Sequence, residues 1–410
     1  MATIHVAKTG NDSNDGSEGS PKLTIQAAVE LADDSTPAVV IILDSGTYNE
    51  EVNVGTDSGF TPENITIKGN TGQLPVLDGN GLAGAGAIRG FHARDGSARV
   101  CTVQNIKFTR YGGGNGGVFV GNGSSSNVGL TFAASDCEFD ANTSFIFNRT
   151  GGNSDNHGSA DRCKFINNTT NLVRQQASSG DMFVDFTNCV FGIKLNTEGI
   201  DFGASRNNGT VKNCSFVANT DGGDHIIRAG VVENTAVQNL ASTGNNIIGI
   251  EANSSRSNNA TFGNFATAQT GGTDGGNNLT GQDPLFTDTT LTDPDLSVPS
   301  GSPLVGAGKT ISAITTDFAG VSRSAPYDIG AFQFVAASGF TSTDGSESFS
   351  RTIAGDFTIR KTANKLATRR FATTSENRQA PYSVAVSGPP NIRGRTTAYK
   401  VEKGHEGGGG

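Results

Sequence analysis

Short apolar runs alternate with polar turns along most of this chain, and one arrangement keeps returning. A strand-like segment closes on Cys-x-Phe, a polar turn follows, then a second apolar stretch and a polar loop. The Cys-x-Phe segments read "SDCEFDANTS" from Ser135, "DRCKFINNTTN" from Asp161, "TNCVFGIKLN" from Thr187 and "KNCSFVANT" from Lys212. The second stretches are "SFIFNRT" from Ser144, "NLVRQQA" from Asn171, "GIDFGAS" from Gly199, "HIIRAG" from His225 and "NIIGIEA" from Asn246. "QNIKFTR" around Ile106 fills the Cys-x-Phe slot earlier, and "ENTAVQN" around Thr235 fills it later with Thr for Cys. "ENITIKGN", from Glu63 to Asn70, reads as a still earlier turn of the same kind.

Cys137, Cys163, Cys189 and Cys214 are spaced by 26, 26 and 25 residues. A period of this length with several short strands per unit means a solenoid. Segments of 3.6-residue period are too scarce for helical repeats. A parallel β-helix remains, each repeat one coil stacked on the last at about 4.8 Å. Equivalent residues then stand above one another. The four cysteines form one internal column, and Phe108, Phe139, Phe165, Phe191 and Phe216 form another. In such a column Cys is a small, buried filler. The competing reading is a bridge or a metal site. It is disfavoured because in-register side chains hold their Cβ atoms slightly too far apart for a disulfide. Asparagines at the turns are placed to stack and share amide hydrogen bonds.

Composition sharpens this picture. The chain has 410 residues, with 56 Gly, 24 Phe, no Trp and charged residues at 17%. Low charge with abundant Gly, Asn, Ser and Thr suits disorder, but the regular return of β-branched and aromatic runs suits many short strands joined by tight turns. No apolar run reaches 18 residues, so no membrane-spanning helix is expected. The opening "MATIHVAKTG" has no basic-then-apolar leader, so no secretory signal is expected and free thiols fit a reducing compartment.

The coil pattern resembles the right-handed parallel β-helix of the pectate-lyase-like superfamily. "IHVAKTGNDSNDGSEGSPKLTIQAAVELA" is similar to the opening of that family, with a strand, an Asx-rich loop and an amphipathic helix over about Leu23 to Ala32. The helix would plug the open end of the solenoid. "VVIILDSGTYNEEV" from Val39 resembles the first full coil. The segment from Asp283 to Phe334 is similar to closing coils. The expected architecture is therefore all-β: a single-stranded right-handed parallel β-helix over 39–335, an N-terminal cap over 1–38, and a basic extended arm or small β module over 336–410. This scaffold carries lyases, hydrolases, spikes and structural proteins alike, so it fixes no function.

A polysaccharide lyase of this kind needs a basic group beside clustered carboxylates. Coil alignment places Asn148, Arg174, Phe202 and Arg228 in one register, with Asp201 one place before it. Arg174, Asp201 and Arg228 are thus the catalytic candidates, against the ordinary reading of a solvated face with a surface ion pair. Asp181 with Asp185, and Asp221 with Asp224, are carboxylate pairs without a visible partner. "NDSNDGSEG" offers Asp12 and Asn14 as candidate cation ligands, although the full calcium-loop pattern is missing. No cofactor is expected. Aromatic platforms for sugars are scarce, since Trp is absent and Tyr numbers five.

Charge divides the chain. Residues 1–335 hold 19 Lys and Arg against 33 Asp and Glu, a net of −14, whereas residues 336–410 hold 11 against 6, a net of +5. Arg360, Lys361, Lys365, Arg369, Arg370, Arg393 and Arg395 mark this second part as a docking arm, for protein ahead of nucleic acid. A β-helix with such an arm resembles virion parts of tailed bacteriophages. That resemblance implies a capsid cement or decoration protein docked on the major capsid protein, often as a homotrimer, assembled in the host cytoplasm and located in the virion. The alternatives are a receptor-binding tailspike that cleaves polysaccharide and a stand-alone polysaccharide lyase.

Overall fold

The computed structural model describes residues 2–336 apart from 33–36, 55–63, 83–86, 92–98, 113–117, 123–129, 149–155, 170–171, 176–181, 195–198, 203–208, 221–224 and 244–246. It also describes Ser383–Val384 and Tyr399–Lys400. The chain divides into two units, Met1–Phe334 and Val335–Gly410. In the second unit Ser383–Val384 pairs antiparallel with Tyr399–Lys400. The seven basic residues singled out for docking lie outside the described residues.

The first unit is a parallel β-helix. One rung runs Leu130–Ser135, Glu138–Asp140 and Ile146–Asn148, and the next begins at Asn156–Asp161. Each segment pairs in parallel only with its equivalents above and below, so three sheets arise. The first sheet runs from Ala2–Val6 through Ala38–Ile42 to Thr267–Thr270, the second from Val52–Val54 to Val173–Gln175, and the third from Thr47–Tyr48 to Leu279–Thr280. No helix among the described residues is long and apolar enough to cross a membrane.

The corner between the first and third sheets is where the sequence acts most directly. Asn105, Asp136, Arg162, Asn188, Asn213, Asn234, Asn258 and Asn277 all sit there with φ between 49° and 56°. Asn and Asp tolerate this left-handed conformation better than other residues with a Cβ. The next residue turns inward, so Cys137, Cys163, Cys189 and Cys214 stand at the corner, not at a strand end as the segment pattern suggested. Phe108, Phe139, Phe165, Phe191 and Phe216 then stack with near-parallel rings, centroids 5.3, 4.8, 4.9 and 4.1 Å apart. Phe145 and Phe186 meet them edge-on.

The helix Ile25–Leu31 closes the N-terminal end and buries Ile25, Ala28 and Val29. Thr24 caps it through Oγ1, which accepts from Ala27 N at 3.2 Å. The Glu50 carboxylate accepts from Ile25 N and Gln26 N, each at 3.0 Å. This matches the anion preference of a helix start.

The closing-coil expectation for 283–334 is corrected. Among the described residues of the first unit the last strand ends at Thr280, and residues 281–334 run back as a strap over the outer face of the third sheet. Leu296 and Ala331 pack on Val190 and Val217, while Leu304 and Ile329 pack on Ala236 and Ala260. Arg323 pins the strap, donating from Nη2 to Asn188 Oδ1 and to the Gly330 and Ala331 carbonyls at 2.9–3.0 Å. The physical reason is the outer column of the third sheet. It reads Lys107, Glu138, Lys164, then Val190, Ser215, Ala236, Ala260. The later rungs present small and apolar side chains that need cover.

Candidate functional site

The catalytic candidates sit on the second sheet and its continuation, one residue out of the register expected from sequence. Arg174 pairs with Phe147, and Asn148 pairs with Gln175. Arg228 pairs with Asp201, not with Phe202, and with Glu251 on the next rung. The strand His225–Glu233 is long enough to continue both the second sheet, through Ile200–Asp201, and the first sheet, through Thr210–Lys212. Ile200, Ile227 and Ile250 stack inside, so Asp201, Arg228 and Glu251 stack outside.

The result is a compact ionic column. Arg228 Nε lies 3.5 Å from Asp201 Oδ1 and 3.9 Å from Glu251 Oε2. Arg228 Nη2 donates to His225 Nδ1 at 2.6 Å, and His225 Nε2 lies 2.5 Å from Glu251 Oε2. A neutral imidazole with its proton on Nε2 satisfies both contacts at once. The side chains of His225 and Arg228 are only 5% and 14% exposed. Glu251 was missed in sequence. Aligning Ile250 of "NIIGIEA" with Ile227 of "HIIRAG" would have found it.

Chemically, this column is largely committed to itself. A lyase base needs a lone pair that faces substrate, whereas Arg228 donates through Nη2 to the His225 imidazole and holds Asp201 and Glu251 as ion-pair neighbours 3.5 and 3.9 Å from its Nε. Both His225 nitrogens are also taken. What remains exposed is the outer part of two carboxylates, Asp201 and Glu251, on either side of one cation.

The other candidates separate in space. Asp185 is exposed on the first sheet and accepts from Thr210 Oγ1 at 2.7 Å. Asp181, Asp221 and Asp224 lie outside the described residues. Asp12 and Asn14, the candidate cation ligands, build the loop before the helix. Asp12 Oδ1 accepts from Leu23 N and Thr24 N at 2.9 Å, and Oδ2 from Thr24 Oγ1 at 3.1 Å. Asn14 Nδ2 donates to the Pro21 carbonyl at 2.9 Å. No group of three or more His, Cys, Asp or Glu is placed to hold a metal among the described residues.

All five cysteines are buried and free. Burial pushes the Cys101 thiol up to about 12 and lifts those of Cys137, Cys163 and Cys189 well above the usual thiol range. Such thiols are inert toward electrophiles and poor metal ligands.

Neither a family model nor a curated protein sequence matches the chain. Among solved structures it is similar to a rhamnogalacturonan lyase, at 12% identity over 78% of this chain and 99% of that one, with a TM-score of 0.38. A GH136 lacto-N-biosidase from Eubacterium ramulus gives 11% identity over 69% and 67% of the two chains, with a TM-score of 0.35. The pectate lyase Pel9A gives 16% over 81% and 96%, with a TM-score of 0.33. These are likenesses of architecture, and the parallel β-helix rests on the strand pairing itself.

Proposed function

We propose that this chain is a non-catalytic structural protein of a tailed-bacteriophage virion, a capsid cement or decoration protein that docks through residues 336–410 and assembles as a homotrimer. The observation that carries the non-catalytic part is the self-occupied column of Asp201, Arg228, His225 and Glu251. The docking part is supported by charge, −14 in residues 1–335 against +5 in 336–410. A basic, Gly- and Ser-rich segment has few apolar anchors of its own. Ordering it costs about 1–2 kcal/mol per residue of backbone entropy, which an extended partner surface offsets.

The test is reconstitution. Full-length protein should bind particles stripped of it, and protein ending at residue 335 should stay folded and not bind. Arg369→Glu with Arg370→Glu should weaken binding. Rising salt should do the same, since exposed charges are screened over about 8–10 Å. Unchanged binding by the truncated protein sinks the docking role, and tight binding of the arm to DNA redirects it to nucleic acid.

A second reading, the polysaccharide-cleaving tailspike, is favoured by one feature. Asp201 and Glu251 flank a single position two rungs apart, and paired carboxylates are the machinery of glycoside hydrolysis. Fragment release from host polysaccharide, abolished in Asp201→Asn or Glu251→Gln, would establish it over the structural reading.

A further inference from the structure

Neither reading uses a groove of about 470 Å³ where the outer face of the first sheet meets the strap. Asp161, Arg162, Asp185 and Lys212 line one side, and Ile311 and Ile314 line the other. The four charged groups are not alike. Asp161 and Arg162 pair with each other, and the Arg162 guanidinium also donates twice to Asp136 at 2.8 Å. Asp185 and Lys212 have no such commitment. Asp185 is exposed, and among the described residues it accepts one bond, from the neutral Thr210 hydroxyl at 2.7 Å. Lys212 Nζ lies 3.9 Å from Glu233, beyond hydrogen-bond reach, and Glu233 is already held by Lys309. Asp185 pairs with Thr210, and Lys212 follows Thr210 by two places on the same strand. With strands about 4.8 Å apart and a rise of about 3.3 Å per residue, the two backbone positions lie about 8 Å apart on one face. The groove thus holds one anion and one cation side by side, with no ion pair between them.

An opposite pair held apart in this way favours a ligand that carries both signs. A simple anion gains Lys212 and meets Asp185 as a like charge. A simple cation gains Asp185 and meets Lys212 as a like charge. A dipolar ion gains both partners at once. The gap sets how far apart its charges stand. In an α-amino acid the ammonium and carboxylate are roughly 3 Å apart, and two charged hydrogen bonds of about 2.8 Å extend that reach to about 8–9 Å. Ile311 and Ile314 are half-buried and offer an aliphatic side chain apolar contact. The volume falls in the range of small-ligand sites. We infer that this groove binds an α-amino acid with an aliphatic side chain, its ammonium on Asp185, its carboxylate on Lys212, and its side chain against Ile311 and Ile314.

The experiment is calorimetric or NMR titration of the full chain at about pH 6.5, where α-amines carry their proton. Leucine is compared with N-acetylleucine, which keeps only the carboxylate, and with leucinamide, which keeps only the ammonium. Glycine, the third comparison, lacks the aliphatic group. The expected result is a millimolar or tighter Kd for leucine and binding about tenfold weaker for each of the other three. Asp185→Asn should weaken leucine about tenfold, while N-acetylleucine, which loses only a like charge, binds no worse. Lys212→Met should weaken leucine equally, while leucinamide binds no worse. Lys68→Met, on the same sheet but outside the groove, should change nothing. Asp185→Asn keeps an acceptor for Thr210, and equal melting temperatures verify that each variant is folded. The comparison of the four ligands on the unaltered protein stands without any variant. Three results overturn the inference: no leucine binding up to about 50 mM, any of the other three ligands binding as tightly as leucine, or leucine binding unchanged in both groove variants.

Discussion

At the scale of the residue, the corner column explains why cysteine recurs and what can replace it. Each thiol lies against the carbonyl two residues earlier: Cys137 Sγ at 3.2 Å, Cys163 at 3.4 Å, Cys189 at 3.2 Å and Cys214 at 3.2 Å. Thr235 takes the next rung, and its Oγ1 donates to the Glu233 carbonyl at 3.0 Å. The slot therefore offers a hydroxyl a ready acceptor. Cys163→Thr should cost less than about 1 kcal/mol in urea unfolding. Cys163→Asp, which buries a carboxylate in an apolar column, should cost several times that. Ionisation supplies a second prediction. Unfolded thiols ionise near pH 8.5, while the buried ones stay protonated well above that. Over that interval the native state holds more protons than the unfolded state, so stability is fully present below about pH 8.5 and falls as pH rises through the folded values, about 12 for Cys101. Alkaline urea titrations should show this fall, and it should be shallower in a protein with Cys137, Cys163 and Cys189 changed to Thr. An equally steep fall would remove the thiols from the pH dependence.

At the scale of the element, the strap and the rungs differ in how far the sequence reveals them. The rungs were legible because in-register stacking forces equivalent residues to recur, and the corner Asn or Asp with an inward neighbour marks each one. Register on the second sheet was less legible. Loops of varying length separate its strands, so spacing alone places Arg174 and Arg228 one residue away from their true partners, Phe147 and Asp201. The His225–Glu251 contact crosses between rungs and leaves no local pattern. The strap did leave a trace, in the change from "KFT", "EFD" and "KFI" to "VFGI", "SFVA" and "AVQN" on the third sheet. Gly192 belongs to that trace, because a Cβ there would lie 2.3 Å from the Leu291 carbonyl oxygen. Gly192→Ala should lift the strap locally. Amide exchange over 284–334 should quicken and proteases should cut there, while the strands on either side of Gly192 keep their protection. Unchanged exchange in the strap would show that the contact yields without cost.

At the scale of the whole molecule, a solenoid is stable rung by rung but vulnerable at its ends. Each rung of the first unit contacts its neighbours, so removing one end leaves interior rungs nearly unaffected. What changes is the surface. The helix Ile25–Leu31 and the strand Ala2–Val6 cover the first rung, and Ile4, Val6, Ile25, Val29, Val40, Ile42 and Val52 are all almost fully buried there. Each such Val or Ile is worth about 1.5–3 kcal/mol of burial. Without residues 1–32, the strand Ala38–Ile42 also becomes an open edge with unpaired N–H and C=O groups, a template for another chain. Deleting 1–32 should therefore give protein that keeps its far-ultraviolet β signal and self-associates in light scattering. Deleting 336–410 removes no residue of the buried core of the first unit, so that protein should stay monodisperse with an unchanged melting temperature. The two truncations thus separate covering the solenoid end from docking. A monodisperse protein lacking 1–32 would mean that the polar residues of the first rung cover its end unaided.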